Sequence, residues 1–101
     1  MRKYSVRLSS KASDDVDALY RYIAEEIFAP VIADKYVDGI YETIHKLTWL
    51  ASSLAVSENE YLRRLYGAEV RTIRYKKMTV VYNIIADVVY IRRVMASSLI
   101  L

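Results

Sequence analysis

The chain has 101 residues, of which 54% are hydrophobic and 27% charged, with 2 Gly, 1 Pro and no Cys. These values predict one domain over residues 1–101 with one apolar core, and they exclude a disordered chain, disulfides, thiolate metal sites and thiol nucleophiles. The net charge is +3. The longest apolar runs are much shorter than the about 20 residues that a membrane span needs, and no signal-like segment follows the basic start. We therefore expect a cytoplasmic protein without membrane contact.

The first half of the chain predicts one strand followed by a helical hairpin. Apolar and polar residues alternate over residues 4–9, which is the two-residue period of a strand. Ser10 or Ser13 can then cap a helix, and Pro30, which suits a first helical turn, separates it from a second helix. Apolar residues recur at helical spacing, as Val16, Leu19, Tyr20, Ile23 and Ile27 in the first helix and Ala33, Tyr36, Val37, Ile40, Ile44 and Leu47 in the second.

The second half of the chain predicts three strands. Residues 51–59 have no clear period and indicate a loop or a frayed helix end, and residues 60–66 allow one helical turn before Gly67. Segments rich in β-branched and aromatic residues follow at 70–75, 79–85 and 88–95. Because their connections are short, we expect antiparallel neighbours. The expected fold class is α+β, with an N-terminal strand, a two-helix hairpin and a three-stranded antiparallel sheet in the order β-α-α-β-β-β. With the N-terminal strand added, we expect a four-stranded, mainly antiparallel sheet that carries both helices on one face.

Alternation along the strands assigns side chains to the two faces of the sheet. Both faces of the middle strand are apolar, so we expect its second face to be covered, with a partner chain as one candidate cover. In the last strand we expect one face to carry Val89, Ile91, Arg93 and Met95, and the other Tyr90, Arg92 and Val94. The chain ends in the apolar tail 99–101, which indicates packing and again allows a partner.

The positive charge is concentrated in the second half of the chain. Residues 1–50 carry 7 Lys and Arg against 8 Asp and Glu, whereas residues 51–101 carry 8 against 4. This asymmetry indicates a polyanionic or acidic partner; the alternative is a solvated sheet face whose long basic side chains cover apolar surface. The candidates for binding a target or a nucleic acid are Arg63, Arg64, Arg71, Arg74, Lys76, Lys77, Arg92 and Arg93.

The whole pattern resembles the RelE/ParE superfamily of small bacterial toxins from type II toxin–antitoxin modules, and its ParE-like plasmid stabilisation proteins. The opening YSVRLSSKASDDV is similar to the family's first strand and helix start. Residues 20–23 and 33–47 look like its helical hairpin, and residues 70–75, 80–82 and 89–95 look like its central and last strands. Where the family commonly has His or Gly and then an Arg-rich stretch after the last strand, this chain has Ala96-Ser97-Ser98.

The resemblance implies the toxin of such a module, which inhibits growth by binding a cellular target and is neutralised by a cognate antitoxin protein. The residues after the last strand favour the ParE branch, whose target is DNA gyrase. The alternatives are a ribosome-dependent mRNA endoribonuclease of the RelE kind and a non-toxic binding module of the same fold. The resemblance also implies a toxin–antitoxin heterotetramer, and it leaves open whether the chain is an enzyme.

A metal-independent ribonuclease would need a base for the 2′-hydroxyl, cations for the phosphate charge and an acid for the leaving oxygen. The catalytic candidates on this hypothesis are Arg71, Arg74 and Arg92 as cations, with Lys76 as a further one, and Tyr82 or Tyr75 as the proton donor. The alternative is that the tyrosines belong to the core or rim of the sheet.

The acidic residues and the only histidine indicate no metal site. Asp14, Asp15 and Asp17 fall in the expected first turn of the first helix, where the helix dipole favours acids. His45 falls near the end of the second helix, where a solvated or capping histidine is expected. We therefore expect no metal and no other cofactor.

Overall fold

The computed structural model describes residues 2–100, so Leu101, the last residue of the predicted apolar tail, lies outside the described residues. The main elements are β1 (Ser5–Leu8), α1 (Ser10–Arg21), α2 (Pro30–Leu50), α3 (Glu60–Tyr66), β2 (Arg71–Tyr75), β3 (Met78–Ile85) and β4 (Val88–Ala96). A π-helical turn, Tyr22–Glu26, extends α1, and single 3-10 turns follow α2 and β4. The predicted α+β class and the predicted order of the elements are confirmed, and α3 is a complete short helix.

Helix α1 is capped by Ser9 and not by either predicted candidate, Ser10 or Ser13. The Ser9 side chain accepts a hydrogen bond from the backbone N–H of Ala12 at 3.0 Å, as an N-cap serine does. Because the helix therefore begins at Ser10, its three aspartates lie beyond the first turn, and the dipole role predicted for them is wrong. Asp15 instead forms an ion pair with Arg93 of β4.

The turn between α1 and α2 is tight and strained. Beyond the π-helical turn, the backbone N–H of Ala29 donates to the carbonyl of Ile23 at 3.0 Å. Phe28 has a φ of +60°, a conformation that bulky residues rarely adopt. Pro30 then opens α2, as its position in the sequence predicts.

The sheet has the strand order β1-β4-β3-β2. Strands β2, β3 and β4 are antiparallel, as predicted, whereas β1 pairs with β4 in parallel, with Val6 opposite Val89. Parallel neighbours need a long crossover, which α1 and α2 provide here together with the elements after them. The sheet is therefore mixed, with the first strand of the chain at an edge and the last strand in the interior.

The two faces of the sheet are covered by different parts of the chain. Helices α1 and α2 pack on one face, where the core contains Ile40, Leu47, Val80, Tyr82 and Ile91, among others. On the opposite face a smaller cluster joins Leu62 of α3 to Val70, Val81 and Met95, with Tyr66 and Ile100 packed against it. The second face of the middle strand is thus covered by α3 and by the tail of the same chain, and no partner is needed for that part of it.

A β-bulge in β4 changes which side chains enter the core. Val81 lies opposite Arg93, but the next residue, Tyr82, lies opposite Ile91, so Arg92 is the extra residue. The alternation therefore inverts beyond Arg92, and Val94 packs with the helices while Met95 packs on the other face. The assignment of these two residues from uninterrupted alternation was wrong for this reason.

Gly39 lets helix α2 approach strand β2 closely. A Cβ atom at this position would overlap the hydroxyl and Cζ of Tyr75 and would lie 2.6 Å from its Cε1. The Tyr75 ring also packs edge-on against Tyr36, with 5.3 Å between the ring centroids. Gly39 is thus the contact surface for an aromatic ring.

We expect Gly39→Ala to lower the free energy of unfolding by about 1–2 kcal/mol, because the overlap outweighs the about 1 kcal/mol by which alanine favours a helix over glycine. The measurement is chemical denaturation of the variant and of the wild type. In a Tyr75→Ala background the same change should become neutral or stabilising. Equal losses in both backgrounds would contradict this account.

Candidate functional site

The side chain of Arg71 forms hydrogen bonds within the fold. Its guanidinium donates hydrogen bonds to the backbone carbonyls of Leu54 and, at 3.4 Å, of Ser52. These carbonyls lie just after α2, so the side chain fastens the edge strand β2 to the end of that helix. A charged donor on carbonyl acceptors makes a strong hydrogen bond, which accounts for a half-buried cation here.

Tyr82 lies at the centre of the core and has no contact with solvent. Its hydroxyl donates a hydrogen bond to the carbonyl of Ala51 at 2.8 Å. Burial raises the pKa of the phenol to about 12, against the opposing effect of the nearby Arg71. The hydroxyl thus serves as a neutral donor that satisfies a buried carbonyl at the end of α2.

Arg93 and Asp15 form a two-pronged ion pair between β4 and α1. The guanidinium nitrogens Nε and Nη2 donate to the two carboxylate oxygens at 2.7 and 3.0 Å. The same carboxylate accepts the backbone N–H of Val94 at 2.9 Å. The hydrogen bond to Asp15 raises the pKa of Arg93 further above its usual value, and one to Tyr66 adds to this. Arg93 therefore carries little free positive charge.

The cations of the β2–β3 turn lie together on the surface. Arg74 donates from Nε to the carbonyl of Lys76 at 3.0 Å, which closes the turn. The ammonium of Lys76 lies 5.6 and 5.5 Å from the ring centroids of Tyr36 and Tyr75. Lys77 is exposed beside them. These three cations are separate from Arg63 and Arg64, which are exposed on α3.

Arg92 differs from its neighbour because it is the extra residue of the bulge and is not held in an ion pair with Asp15. Its side chain is exposed, and its guanidinium carbon lies 5.7 Å from the centroid of the Tyr66 ring. The eight predicted binding cations are thus dispersed over several places. The four catalytic candidates do not converge on one point, because Arg71 and Tyr82 face α2, Arg74 closes a turn and Arg92 faces outward.

Among residues 2–100, five exposed large apolar residues lie at the tip of the helical hairpin, and sequence reasoning missed them. This hairpin-tip patch consists of Tyr22, Ile27, Phe28, Val31 and Ile32. Phe28 is 84% exposed and Val31 65%. Helical spacing predicts Ile27 on the apolar face of the first helix, but it lies beyond the end of α1. The available signal was the nearly unbroken apolar run around Pro30, where a turn between helices is normally polar.

Within residues 2–100 no cluster of three or more His, Cys, Asp or Glu side chains could hold a metal ion. His45 packs edge-on against Trp49, with 5.6 Å between the ring centroids. Among the same residues, no helix combines the length and the apolar character that crossing a membrane requires.

Comparisons with known proteins found one matching family model and several similar solved structures. Residues 6–98 match the model described as the ParE toxin of the type II toxin–antitoxin system parDE. The structure is similar to the chromosomal ParDE system from P. aeruginosa, with a TM-score of 0.76 and 23% identity over 93% of this chain and 96% of that one. It is also similar to the RelBE2 toxin–antitoxin complex from Mycobacterium tuberculosis, with a TM-score of 0.65 and 19% identity over 95% and 93%. No curated protein matches the chain.

We expect stability to fall as the pH rises from about 10 towards about 12, because Tyr82 ionises near pH 10 in the unfolded chain but only near 12 in the fold. The extra loss approaches about 1.4 kcal/mol per pH unit. The measurement is urea unfolding at pH 8, 10 and 11. Tyr82→Phe should cost about 1 kcal/mol at pH 8 and should show a shallower alkaline decline. Identical slopes for the two proteins would refute the assignment.

Removing either partner of the Asp15–Arg93 pair should lower the free energy of unfolding by about 1–3 kcal/mol, because the remaining group loses its hydrogen bonds in a half-buried place. The test is a double-mutant cycle of Asp15→Ala and Arg93→Ala. We expect the double variant to lose clearly less than the sum of the single losses. Strictly additive losses would show that the pair is not coupled.

Proposed function

The chain belongs to the ParE toxin family of type II toxin–antitoxin systems, and we propose that it arrests growth by binding DNA gyrase through the tip of its helical hairpin. A cognate antitoxin neutralises it in this proposal, and both act in the cytoplasm. The hairpin-tip patch is the observation that carries the proposal. Exposed apolar groups of this extent on small proteins usually mark protein-binding surfaces.

Phe28 is the residue in the patch that best fits a binding role. Its left-handed backbone conformation costs about 1–2 kcal/mol for a residue with a Cβ. The strain projects a large ring into solvent, where it contributes nothing to the core. Burying a Phe side chain in a partner's pocket would recover about 1.5–3 kcal/mol, which offsets the strain only in a complex. Strained and exposed aromatic residues are typical of binding sites.

The arrangement of the basic residues supports a binding mode over ribonuclease chemistry. Metal-free RNA cleavage requires a base, an acid and cations that meet around one phosphate. Here Tyr82 is buried with its proton held on a carbonyl, Arg71 is fastened to carbonyls and Arg93 is paired with Asp15. The mRNA endoribonuclease of the RelE kind is therefore the less favoured of the two hypotheses.

The antitoxin in this proposal is an acidic or amphipathic segment that lies across the sheet. A hollow near the β2–β3 turn fits such a segment, because Arg74 and Lys77 flank it and Met78 and Ala96 line it. Cations beside apolar surface complement acidic residues that alternate with apolar ones. We also propose that two toxin and two antitoxin chains assemble as a heterotetramer.

The first test is inducible expression in a bacterial host, with growth, mRNA integrity and chromosomal DNA breaks followed together. We expect growth arrest with DNA breaks and intact mRNA. We also expect Phe28→Gly to abolish the arrest without loss of stability, because glycine adopts the positive φ at this position freely. Binding of purified gyrase by the two proteins should differ in the same direction.

Ile85→Ser is the matched control, because Ile85 is a comparably exposed apolar residue at the end of β3. It should arrest growth as the wild type does. Cleaved mRNA would favour the ribonuclease hypothesis, and harmless overexpression would favour a non-toxic binding module. Undiminished arrest by Phe28→Gly would remove the hairpin tip from the proposal.

A further inference from the structure

A cleft lies beside the bulge of β4, on the side away from the β2–β3 turn. It has a volume of about 410 Å³ and is bounded by the start of α1, the end of α3 and strand β4. Its walls include Lys11 from α1, Tyr66 from α3, and Tyr90 and Arg92 from β4. The three elements are fixed to each other, because the Ser9 hydroxyl donates to the carbonyl of Arg92 at 2.9 Å and the side chain of Asn83 donates to the carbonyl of Tyr66 at 3.1 Å.

The charge of the cleft is uniformly positive. None of the residues that line it is acidic. The Asp15 carboxylate, which lies nearby, is saturated by Arg93 and by the N–H of Val94. The exposed cations Lys11 and Arg92 therefore set the local field.

The cleft also offers aromatic surface next to its cations. The guanidinium of Arg92 lies over the Tyr66 ring, and Tyr90 stands on the same strand two residues before it. Arg7 of β1 lies opposite Tyr90 and is exposed, so the positive surface continues along the sheet. Cations that alternate with aromatic rings along a groove match the repeating phosphates and bases of a single strand. An acidic peptide would use the charges but would leave the rings without a specific role.

We propose that this cleft binds a single-stranded nucleic acid without cleaving it, with Lys11 and Arg92 on the phosphates and the bases against Tyr66 and Tyr90. The site is distinct from the hairpin tip and does not depend on gyrase as the target. It lies at the bulge, where Arg92 is exposed and the next arginine pairs with Asp15. The residues that line the cleft include no carboxylate and no histidine that could act as the base for cleavage.

The experiment is fluorescence anisotropy of labelled oligonucleotides of about eight nucleotides with the full chain, at about 50 and about 200 mM salt. Separate DNA and RNA oligonucleotides distinguish the two sources of the strand. We expect Arg92→Gln and Lys11→Gln each to weaken binding by about 3- to 10-fold and to reduce the salt slope by about one. An abasic strand with the same phosphates should bind about 10-fold more weakly than the intact strand, because the rings stack on bases.

Arg21→Gln and Lys46→Gln are the matched controls for the arginine and the lysine of the cleft, since they remove the same charge from exposed positions on α1 and α2 outside the cleft. They should leave the affinity within about 2-fold of the wild type. Equal weakening by control and cleft variants, or equal affinity for the abasic strand, would show that binding depends only on the overall positive charge of the protein. Either result would overturn the proposal. Displacement by an oligoglutamate of equal charge would also overturn it, in favour of an acidic protein segment. Unfolding curves of each variant ensure that a loss is not a loss of fold.

Discussion

The attachment of the first fifteen residues to the last strand is the constraint on which the rest of the structure depends. Strand β1 pairs with β4, the backbone N–H of Ser9 donates to the carbonyl of Ile91, and Asp15 receives both Arg93 and the N–H of Val94. These contacts join residues about eighty positions apart, so they close nearly the whole chain into one loop. Closing such a loop costs conformational entropy, and the burial of β4 between β1 and β3 offsets it.

The bulge in β4 determines how the basic residues are used. Two neighbouring arginines would point to opposite faces of a regular strand. At the bulge, Arg92 has no partner residue on β3 and is exposed beside Tyr66, while Arg93 pairs with the carboxylate of Asp15. Arg93 therefore stabilises the fold and Arg92 stays exposed on the surface, although the two are adjacent arginines in the sequence.

Helix α1 separates the two surfaces that we propose to be functional. The cationic cleft lies at its first turn and the hairpin-tip patch follows its last, so a helix of 12 residues places them about 18 Å apart along its axis. One surface is apolar and suits a protein pocket, and the other is positive and suits a polyanion. A chain with both could contact a protein and a nucleic acid at once without competition between them.

The sequence by itself determined the class and order of the elements, because local periodicity and propensity are strong in α1, α2 and the three C-terminal strands. It also indicated a positive half and a family resemblance. Only the tertiary structure decided the parallel pairing of β1, the exchange of Val94 and Met95 between faces, and the roles of Arg71, Tyr82 and Arg93. Each of these depends on a contact between residues far apart in the chain, or on one inserted residue that shifts the register. Local patterns carry no information about long-range contacts or inserted residues. An arginine in the sequence is therefore equally consistent with binding a partner and with stabilising the fold until its neighbours in space are known.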